Sequence, residues 1–452
     1  MTKKRFVFRN VVAIAICLAG ATMLLNCGKD PNNNGPITVK PDTNVSSSTD
    51  FLKSEGKNIR NNSGTGDIVH LRGTNVGGMF LQEFWMTPTQ SVDNQCTAQG
   101  DIYKVLTDRF GLDKALELIH LYEDNFFTTW DFDYCAGLGM NCFRLVLYYR
   151  QFVDANGNYY GYDNAAADPY ATAFAKLDWF IGEASKRRMY VILDMHGAPG
   201  SQNGMVKGGE NEYWNSDRKV RSRLLYGQND AEKNYFQDMY LNMWGIIANR
   251  YKDNPWVAAY DILNEPHCAG TADRDALWAL YNKTYRKIRG IDPNHIITMM
   301  ATSGNLADFN KYAKQYNFTN IMSHFHFSTS EKDVNTVLQQ ITPNVTQLTG
   351  FNFPVYGGEV SFGPNLDAWD TCLKMLVDSG INYTNWSYKL YNSFSQNNWG
   401  YFYMNNNNQN KVDLTTATED QIRQKWGDKI KSQNAYTKNT AMADVYKKYL
   451  TK

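Results

Sequence analysis

Two glutamates stand out because each follows a buried-strand pattern and could transfer a proton. The first, Glu265, lies in the stretch "YDILNEPHCAG" (260–270), where an Asn-Glu-Pro triplet ends an apolar run. Pro266 has no amide donor, so it cannot continue an interior strand. The run 256–263 is apolar on both faces apart from one aspartate, which is typical of a strand in a covered parallel sheet. We therefore expect Glu265 at the carboxyl end of a strand, although an acidic loop residue beside a turn-forming proline fits the same pattern.

The second glutamate, Glu359, follows the apolar run "FPVYGG". Its two glycines permit a close approach of neighbouring backbone. In barrels of parallel strands the carboxyl ends gather at one face, and that face carries the chemistry. The pattern therefore predicts that Glu265 and Glu359 face each other across a barrel mouth.

The elements that must position these glutamates alternate between strand and helix along residues 51–452. This alternation predicts an α/β fold, an eight-stranded (β/α)8 TIM barrel with long loops at its carboxyl-terminal face. The strand candidates are 68–78, 141–147, 189–197, 256–266, 295–300, 320–328, 353–359 and 381–388. Helical stripes are Leu112, Leu116, Ile119 and Tyr122, and Phe174, Leu177, Ile181 and Ala184, with further helices at 231–251, 271–290 and 366–379. Long loops are expected at 85–110, 148–172, 198–230 and 391–432.

Further polar residues fall at the predicted strand ends and complete a candidate site. They are Arg144 after strand two, Asp194 and His196 after strand three, Asn264 after strand four, His324 and His326 after strand six, and Trp386 after strand eight. We expect Arg144 to hold Glu359 ionised and Asn264 to bond a sugar hydroxyl. His324 fits a packed strand histidine better than a sugar contact, and Asp261 fits a structural role. Asp194 fits either a site residue or a loop anchor.

Two opposed carboxyls beside an arginine, histidines and aromatics indicate cleavage of a glycosidic bond. One carboxylic acid protonates the leaving oxygen, and the other attacks the anomeric carbon; retention follows if the carboxyls are about 5 Å apart. An ionised Glu359 would raise the pKa of Glu265 by like-charge repulsion. We find no metal-ligand spacing and no phosphate-cradling loop, so we expect no metal and no cofactor.

Seven stretches together resemble glycoside hydrolase family 5 over nearly all of residues 65–400. They are "LRGTNVGGMF", "FRLVLYY", "LDMHGAPGSQNG", "YDILNEPH", "HFHFS", "VYGGEVSFG" and "NWSYK". The resemblance implies Glu265 as acid/base, Glu359 as nucleophile, and Arg144, His196, His326 and Trp386 as substrate-binding residues, beside Asn264. The stretches "HGAPGSQNG" and "RGTNVGGMFLQEFWMTP" are most similar to the β-1,3-glucanase branch.

This resemblance implies a retaining hydrolase of β-glucosidic bonds in a polysaccharide or oligosaccharide, β-1,3-linked ahead of β-1,4-linked. Two alternatives remain open: a surface glycan-binding lipoprotein without catalysis, and a β-mannan-type hydrolase on the same fold. One position departs from the family, because Ser328 stands where a tyrosine usually touches the nucleophile. Phe327 could fill that space, or Tyr356 or Tyr388 could supply the hydroxyl.

The amino terminus predicts export and lipid anchoring. A basic start precedes a 15-residue apolar stretch, Val11 to Leu25, which is short for a membrane span and typical of a signal peptide. It closes with "LLNC", which resembles the bacterial lipobox and predicts a lipidated Cys27. We therefore expect a lipoprotein signal at 1–27, a polar tether at 28–50, and attachment to the bacterial outer membrane at its surface or periplasmic face. An ordinary signal peptide cut nearby is the alternative.

Composition excludes some partners and leaves others open. The formal net charge is +1, so we expect no nucleic-acid partner, and we expect a monomer. Aromatic residues make up 14% of the chain, which suits both a large core and a cleft that stacks sugar rings. The five cysteines after the signal follow no disulfide or zinc pattern, although a single bridge is not excluded.

Overall fold

A computed structural model describes residues 50–90, 96–212, 215–268, 270–302, 305–391, 400–404 and 411–450. Their central feature is a closed barrel of eight parallel strands, which confirms the predicted (β/α)8 fold. The predicted signal peptide, Cys27 and all but the last residue of the predicted tether lie outside the described residues.

Each predicted strand is present in the barrel, with boundaries that matter for the site. We number the barrel strands β1 Arg72–Val76, β2 Cys142–Tyr148, β3 Tyr190–Gly197, β4 Val257–Asp261, β5 Ile296–Met300, β6 Ile321–Thr329, β7 Val355–Phe362 and β8 Asn382–Asn385. Neighbours follow chain order, and β8 closes against β1. Because β4 ends at Asp261, Asn264 and Glu265 lie in the loop that follows it. Glu359, in contrast, lies within β7.

The helices lie between these strands, and all five predicted helical segments are confirmed. They are Leu112–Phe126, Ala171–Ser185, Asp230–Tyr251, Thr271–Arg289 and Leu366–Asp378. Sequence periodicity missed Gln99–Phe110, Thr129–Leu138, Ala307–Gln315, Val334–Thr349, Glu419–Trp426 and Thr440–Leu450, and the shorter Arg218–Arg221 and Ser432–Ala435. The predicted loop 85–110 is therefore helical in its second half. That helix escaped notice because its buried face includes Gln99 and Tyr103 and is not a clean apolar stripe.

Two predicted loops pack against each other instead of extending separately. Strand Thr89–Gln90 pairs in parallel with Val412–Asp413, and Arg109 donates from Nη2 to the Ala417 carbonyl at 2.7 Å. The segments 85–110 and 391–432 are thereby joined. Small sheets complete the fold: a hairpin of Lys53–Glu55 and Asn58–Arg60, and three strands, Lys389–Tyr391, Phe402–Met404 and Thr437–Lys438.

The described helices and cysteines bear on membrane insertion and on disulfide formation. None of its helices is both long and apolar enough to cross a bilayer. Its five cysteines are free thiols, so the single bridge that the sequence left open is not present among them.

Candidate active site

Arg144 on β2 organises the buried floor of the site. Its side chain is fully buried, and Nη1 donates to Oε1 of Glu359 at 2.9 Å. Nε donates to Oδ2 of Asp261 at 2.8 Å, and Nη2 donates to Oδ1 of Asn264 at 2.8 Å. Asp194 lies 3.0 Å from Nη2. One guanidinium therefore joins strands β2, β3 and β7 to the end of β4, and its charge is shared among three acids.

His196 is held in one orientation by the residues on either side of it. Its Nδ1 lies 2.6 Å from Oδ2 of Asp194, and its Nε2 lies 3.1 Å from the Asn264 amide nitrogen. Burial and the charge of Arg144 lower the pKa of His196 well below its usual range. The neutral ring therefore donates from Nδ1 and accepts at Nε2, as a ring between a carboxylate and an amide donor should. Asp194, which the sequence left open, is thus part of the site.

Glu265 lies in the loop after β4, and side chains of the loop after β3 hydrogen-bond to the backbone of that loop. Its φ of 38° lies in the left-handed region, which is unusual for a residue with a side chain and often found at functional sites. Gln202 donates to the Asn264 carbonyl at 2.9 Å, and Asn203 donates to the Glu265 carbonyl at 3.2 Å. These two residues come from the stretch "HGAPGSQNG", so that stretch supports the acid/base candidate directly. Close packing at Gly204 holds the loop, since a Cβ there would lie 2.3 Å from the Arg221 carbonyl oxygen.

Glu359 is directed towards the site by an irregularity in β7. Gly357 pairs with Phe325 and Glu359 with His326, so Gly358 is an extra residue in the ladder and forms a bulge. Only glycine fits here, because a Cβ on Gly358 would lie 1.8 Å from Nε2 of His324. Asn75 of β1 donates to the Gly358 carbonyl at 2.8 Å and holds the bulge in place.

His326 on β6 lies between the two candidate carboxyls. Its Nδ1 is 2.8 Å from Oε1 of Glu265 and 3.6 Å from Oε2 of Glu359. Carboxylate oxygens of Glu265 and Glu359 and a ring nitrogen of His326 all lie within 4.8 Å of one another. Such a trio could ligate a cation by geometry. Two protein cations, Arg144 and Lys207, already contact these carboxylates.

The electrostatics of the site differ from the sequence-based expectation. Burial alone would raise the pKa of Glu265, but the hydrogen bond with His326 and the charge of Lys207 outweigh burial and hold that pKa well below its usual range. Burial raises the pKa of Glu359 well above its usual range, and Arg144 opposes this only in part. The reason is that Arg144 also faces Asp261 and Asp194. A protein cation thus contacts each carboxyl, Lys207 at Glu265 and Arg144 at Glu359.

Two adjoining cavities meet at Glu265. The first, about 200 Å³, lies over both carboxyls and is lined by Glu83, Trp85, His196, Lys207, Glu265, His326, Phe327, Ser328, Glu359, Ser361 and Trp386. Trp386 stacks on His196, with ring centroids 5.3 Å apart and planes at 11°. The second, about 460 Å³, shares Lys207, Glu265, His326, Phe327 and Ser328 with the first, and adds apolar Met205, Met300 and Leu306 and polar Asn203, His267, Thr302 and Asn344.

The structure brings all seven predicted barrel residues together, but not in equivalent positions. Glu265, Glu359, His196, His326 and Trp386 line the first cavity. Arg144 and Asn264 are fully buried behind the carboxyls, where neighbouring side chains use their polar groups. They are thus placed to orient the site, and direct contact of either residue with a sugar stays a prediction. His324 is packed as expected, with Nδ1 3.1 Å from Asp261.

The structure also answers the question raised by Ser328. Ser328 is exposed and lines both cavities. Tyr356 bonds Thr384 and Tyr388 bonds Asp131, so neither hydroxyl reaches Glu359. The side chain of β6 nearest the nucleophile candidate is His326. Its Nδ1 lies 3.6 Å from Oε2 of Glu359, beyond hydrogen-bond distance, and bonds Glu265 instead.

Sequence reasoning missed two charged residues of the first cavity. Glu83 accepts from Nε1 of Trp85 at 2.8 Å, and burial raises its pKa to about 7. Lys207 contacts Oε2 of Glu265. Both lie in stretches that carried the family resemblance or adjoined it. Their roles were invisible because loop residues show no periodicity that would place them at the site.

Comparison with known proteins identifies a family and several relatives of this chain. The family described as "Cellulase (glycosyl hydrolase family 5)" matches residues 119–392. A β-xylosidase of Phanerodontia chrysosporium is 29% identical over 282 residues, covering 62% of this chain and 49% of that protein. A probable glucan 1,3-beta-glucosidase A of Aspergillus clavatus is 27% identical over 294 residues, covering 64% of each chain. The chain thus spans about half the length of the first relative and under two thirds of the second.

Solved structures show the same fold at lower identity. The rutinosidase from Aspergillus niger aligns with a TM-score of 0.55 and 17% identity, over 74% of this chain and 95% of that chain. An endogalactoceramidase aligns with a TM-score of 0.52 and 16% identity, over 75% of this chain and 74% of that chain.

Proposed function

Since the chain belongs to glycosyl hydrolase family 5, we propose that it is a retaining β-glycosidase that cleaves β-glucosidic bonds by double displacement. The observation that carries the proposal is the pair Glu265 and Glu359, with carboxylate oxygens within 4.8 Å of each other. Retaining enzymes have carboxyl groups about 5 to 5.5 Å apart, whereas inverting enzymes need roughly 6.5 to 9.5 Å to admit a water.

Glu359 is the proposed nucleophile and Glu265 the proposed acid/base. Glu265 protonates the leaving oxygen while Glu359 attacks the anomeric carbon, which forms a covalent glycosyl intermediate. Glu265 then removes a proton from water, and the hydroxide displaces Glu359 with overall retention. Arg144 supports ionised Glu359 from behind through its hydrogen bond.

The first cavity is the proposed site for the sugar that becomes covalently bound. Trp386 presents an aromatic wall, and Glu83, Lys207 and His326 present polar groups around the carboxyls. This combination of an apolar face and convergent polar groups suits a sugar ring, which has both characters. The second cavity, which also borders Glu265, is the proposed site for the leaving sugar.

We favour a β-glucan as substrate, with β-1,3 linkages ahead of β-1,4. The relative named glucan 1,3-beta-glucosidase A and the stretch "HGAPGSQNG" support this choice. A purely glycan-binding role is disfavoured because both carboxyls are present, with oxygens within 4.8 Å of each other. The relative named β-xylosidase makes xylose the main competing sugar.

The test is product analysis on β-1,3-glucan, β-1,4-glucan, mannan and xylan. We expect glucose or short oligosaccharides from a β-1,3-glucan, with the β-anomer formed first in a proton NMR time course. Activity confined to mannan or xylan would refute the sugar and leave the mechanism standing. Initial release of the α-anomer from a β-linked substrate would refute retention, and no release from any polymer would favour the binding role.

We also propose that the protein is a lipoprotein of the bacterial outer membrane, anchored through Cys27. The motif "LLNC" at the end of the apolar stretch supports this assignment. Cys27→Ala should move the protein from the membrane fraction to the soluble fraction with unchanged specific activity. Wild-type protein found entirely in the soluble fraction would refute the anchor.

A further inference from the structure

The second cavity differs from the first in the type of its apolar side chains. The first cavity has two tryptophans, Trp85 and Trp386, whose flat rings suit the face of a sugar. Among the described residues that line the second cavity there is neither a tryptophan nor a tyrosine, and two methionines and a leucine are present instead. Methionine is flexible and adapts to apolar groups of irregular shape. The second cavity therefore suits an apolar group that has no flat ring.

The charged and the apolar residues of the second cavity come from different parts of the barrel. The loops after β3 and β4 contribute two charged residues, Lys207 and Glu265. Most of the apolar residues come from β5, β6 and the segment after β5. These elements contribute Met300, Ala301, Leu306, Phe325 and Phe327, beside the polar Thr302, His326 and Ser328. The cavity therefore has a charged part at the proposed acid/base and a mainly apolar part along β5 and β6.

The second cavity extends from the proposed acid/base to a helix outside the barrel. Asn344, which also lines the cavity, lies on helix Val334–Thr349, the helix that follows β6. The cavity volume is about 460 Å³, against about 200 Å³ for the first cavity. A group bonded to an oxygen at Glu265 thus has room to extend along the apolar residues of β5 and β6.

We propose that the second cavity also binds an alkyl leaving group, so that the protein hydrolyses β-glucosides of alkyl alcohols in addition to oligosaccharides. The glycosidic oxygen lies at Glu265, and the alkyl chain lies against β5 and β6. Glu265 gives its proton to that oxygen as the bond to the anomeric carbon breaks, Glu359 forms the ester bond, and the neutral alcohol leaves. Water then releases the sugar. This inference rests on the proposed glycosidase function and adds a second class of leaving group to it.

The length of the alkyl chain isolates the contribution of the second cavity from the chemistry of bond cleavage. Full burial of one methylene group strengthens binding about fourfold. Methanol and hexanol are similarly weak acids, so their glucosides need the same protonation by Glu265. The ratio of kcat/KM for hexyl β-glucoside to kcat/KM for methyl β-glucoside therefore measures how well the cavity binds the chain.

The kinetic test measures this ratio in the wild type and in variants of the apolar residues. We expect a ratio of at least about ten in the wild type. Met300→Gln and Leu306→Asn keep the size of the side chain and make it polar, so each should lower the ratio at least about threefold. Met375→Gln, on helix Leu366–Asp378, is the matched control, because Met375 lines neither cavity. A ratio of one in the wild type, or an equal fall in the control, would overturn the inference.

A binding measurement separates this inference from the proposed function, because it needs no turnover. Hexyl and methyl 1-thio-β-glucoside carry sulfur in place of the glycosidic oxygen, resist hydrolysis, and are titrated into the protein by calorimetry. We expect the hexyl compound to bind the wild type at least about tenfold more tightly, and Met300→Gln, unlike Met375→Gln, to reduce this preference. Equal affinities, or no binding of either compound, would overturn the inference. If the wild type hydrolysed no glucoside and no polymer, the proposed function would fail, while the titration would still decide whether the cavity binds the chain.

Discussion

The imidazole of His326 lies directly against the carboxyl of Glu265, with Nδ1 2.8 Å from Oε1. The side chain is only 10% exposed, and burial lowers the pKa of the ring to about 3. A neutral histidine at this distance orients the carboxyl by a hydrogen bond and places no positive charge beside it. The acid/base candidate is therefore held from one side by an uncharged ring and from the other by the charge of Lys207.

His326 should matter far more than Ser328, although both line the cavities. Removing a hydrogen bond to a charged partner costs about 1.5 to 3 kcal/mol, which corresponds to roughly 10-fold to 150-fold in rate. We expect His326→Ala to lower kcat/KM on polysaccharide within that range, and Ser328→Ala to change it less than about tenfold. A loss of several orders of magnitude in Ser328→Ala would show a direct role that the structure does not reveal.

Glu359→Ala should abolish hydrolysis by removing the proposed nucleophile. The space left above Arg144 should admit a small anion, so azide should restore turnover and yield a glycosyl azide of inverted configuration. Rate against azide concentration on an aryl β-glucoside, with product identification, measures this. Ser361→Ala, on the same strand, is a control that should need no azide. Activity near that of the wild type in Glu359→Ala would show that another residue is the nucleophile.

Glu265→Ala should separate substrates by their leaving groups. General acid catalysis contributes about 10²-fold to 10⁴-fold, so polysaccharide hydrolysis should fall by that factor. The first step on 2,4-dinitrophenyl β-glucoside should be spared, which a pre-steady-state burst of dinitrophenolate would show. A burst as slow as polymer hydrolysis would contradict the assignment of Glu265 as the acid.

Barrel strands and catalytic candidates could be predicted because both rest on short-range patterns. Apolar runs identified β4 and β7, and Glu265 and Glu359 stood at fixed offsets from them. The chain position of Asn264 was also predictable. The burial of Asn264 behind the site was not predictable, because it depends on contacts with Arg144 and His196, which lie on other strands.

The charged groups that surround Glu265 and Glu359 could not be predicted from the sequence, for the same physical reason. The expected order of protonation counted only Glu359, Glu265 and Arg144. The pKa of Glu265 is lowered and not raised, because His326 and Lys207 contact its carboxyl, and Lys207 comes from a loop without periodicity. Long-range electrostatics therefore needed coordinates, whereas the choice of Glu265 and Glu359 as candidates did not.

A buried lysine outside the site gives a prediction about stability. Lys389 is fully buried, and its ammonium donates to the carbonyls of Phe126 and Ile430 and to the Ser432 hydroxyl. Burial lowers its pKa from 10.5 to about 7. Between these two values the unfolded chain binds more protons at this lysine than the folded protein does, so its contribution to stability rises with pH.

The measurement is the free energy of unfolding of the wild type and Lys389→Met at pH 7 and pH 9. Other titrating groups are common to both proteins and cancel in the difference. From pH 7 to pH 9 the wild type should gain roughly 2 kcal/mol relative to Lys389→Met. Below about pH 6 the difference should be nearly constant, because lysine is then protonated in both the folded and the unfolded states. Parallel curves from pH 7 to pH 9 would mean that the three acceptors around the ammonium keep Lys389 charged in the folded protein.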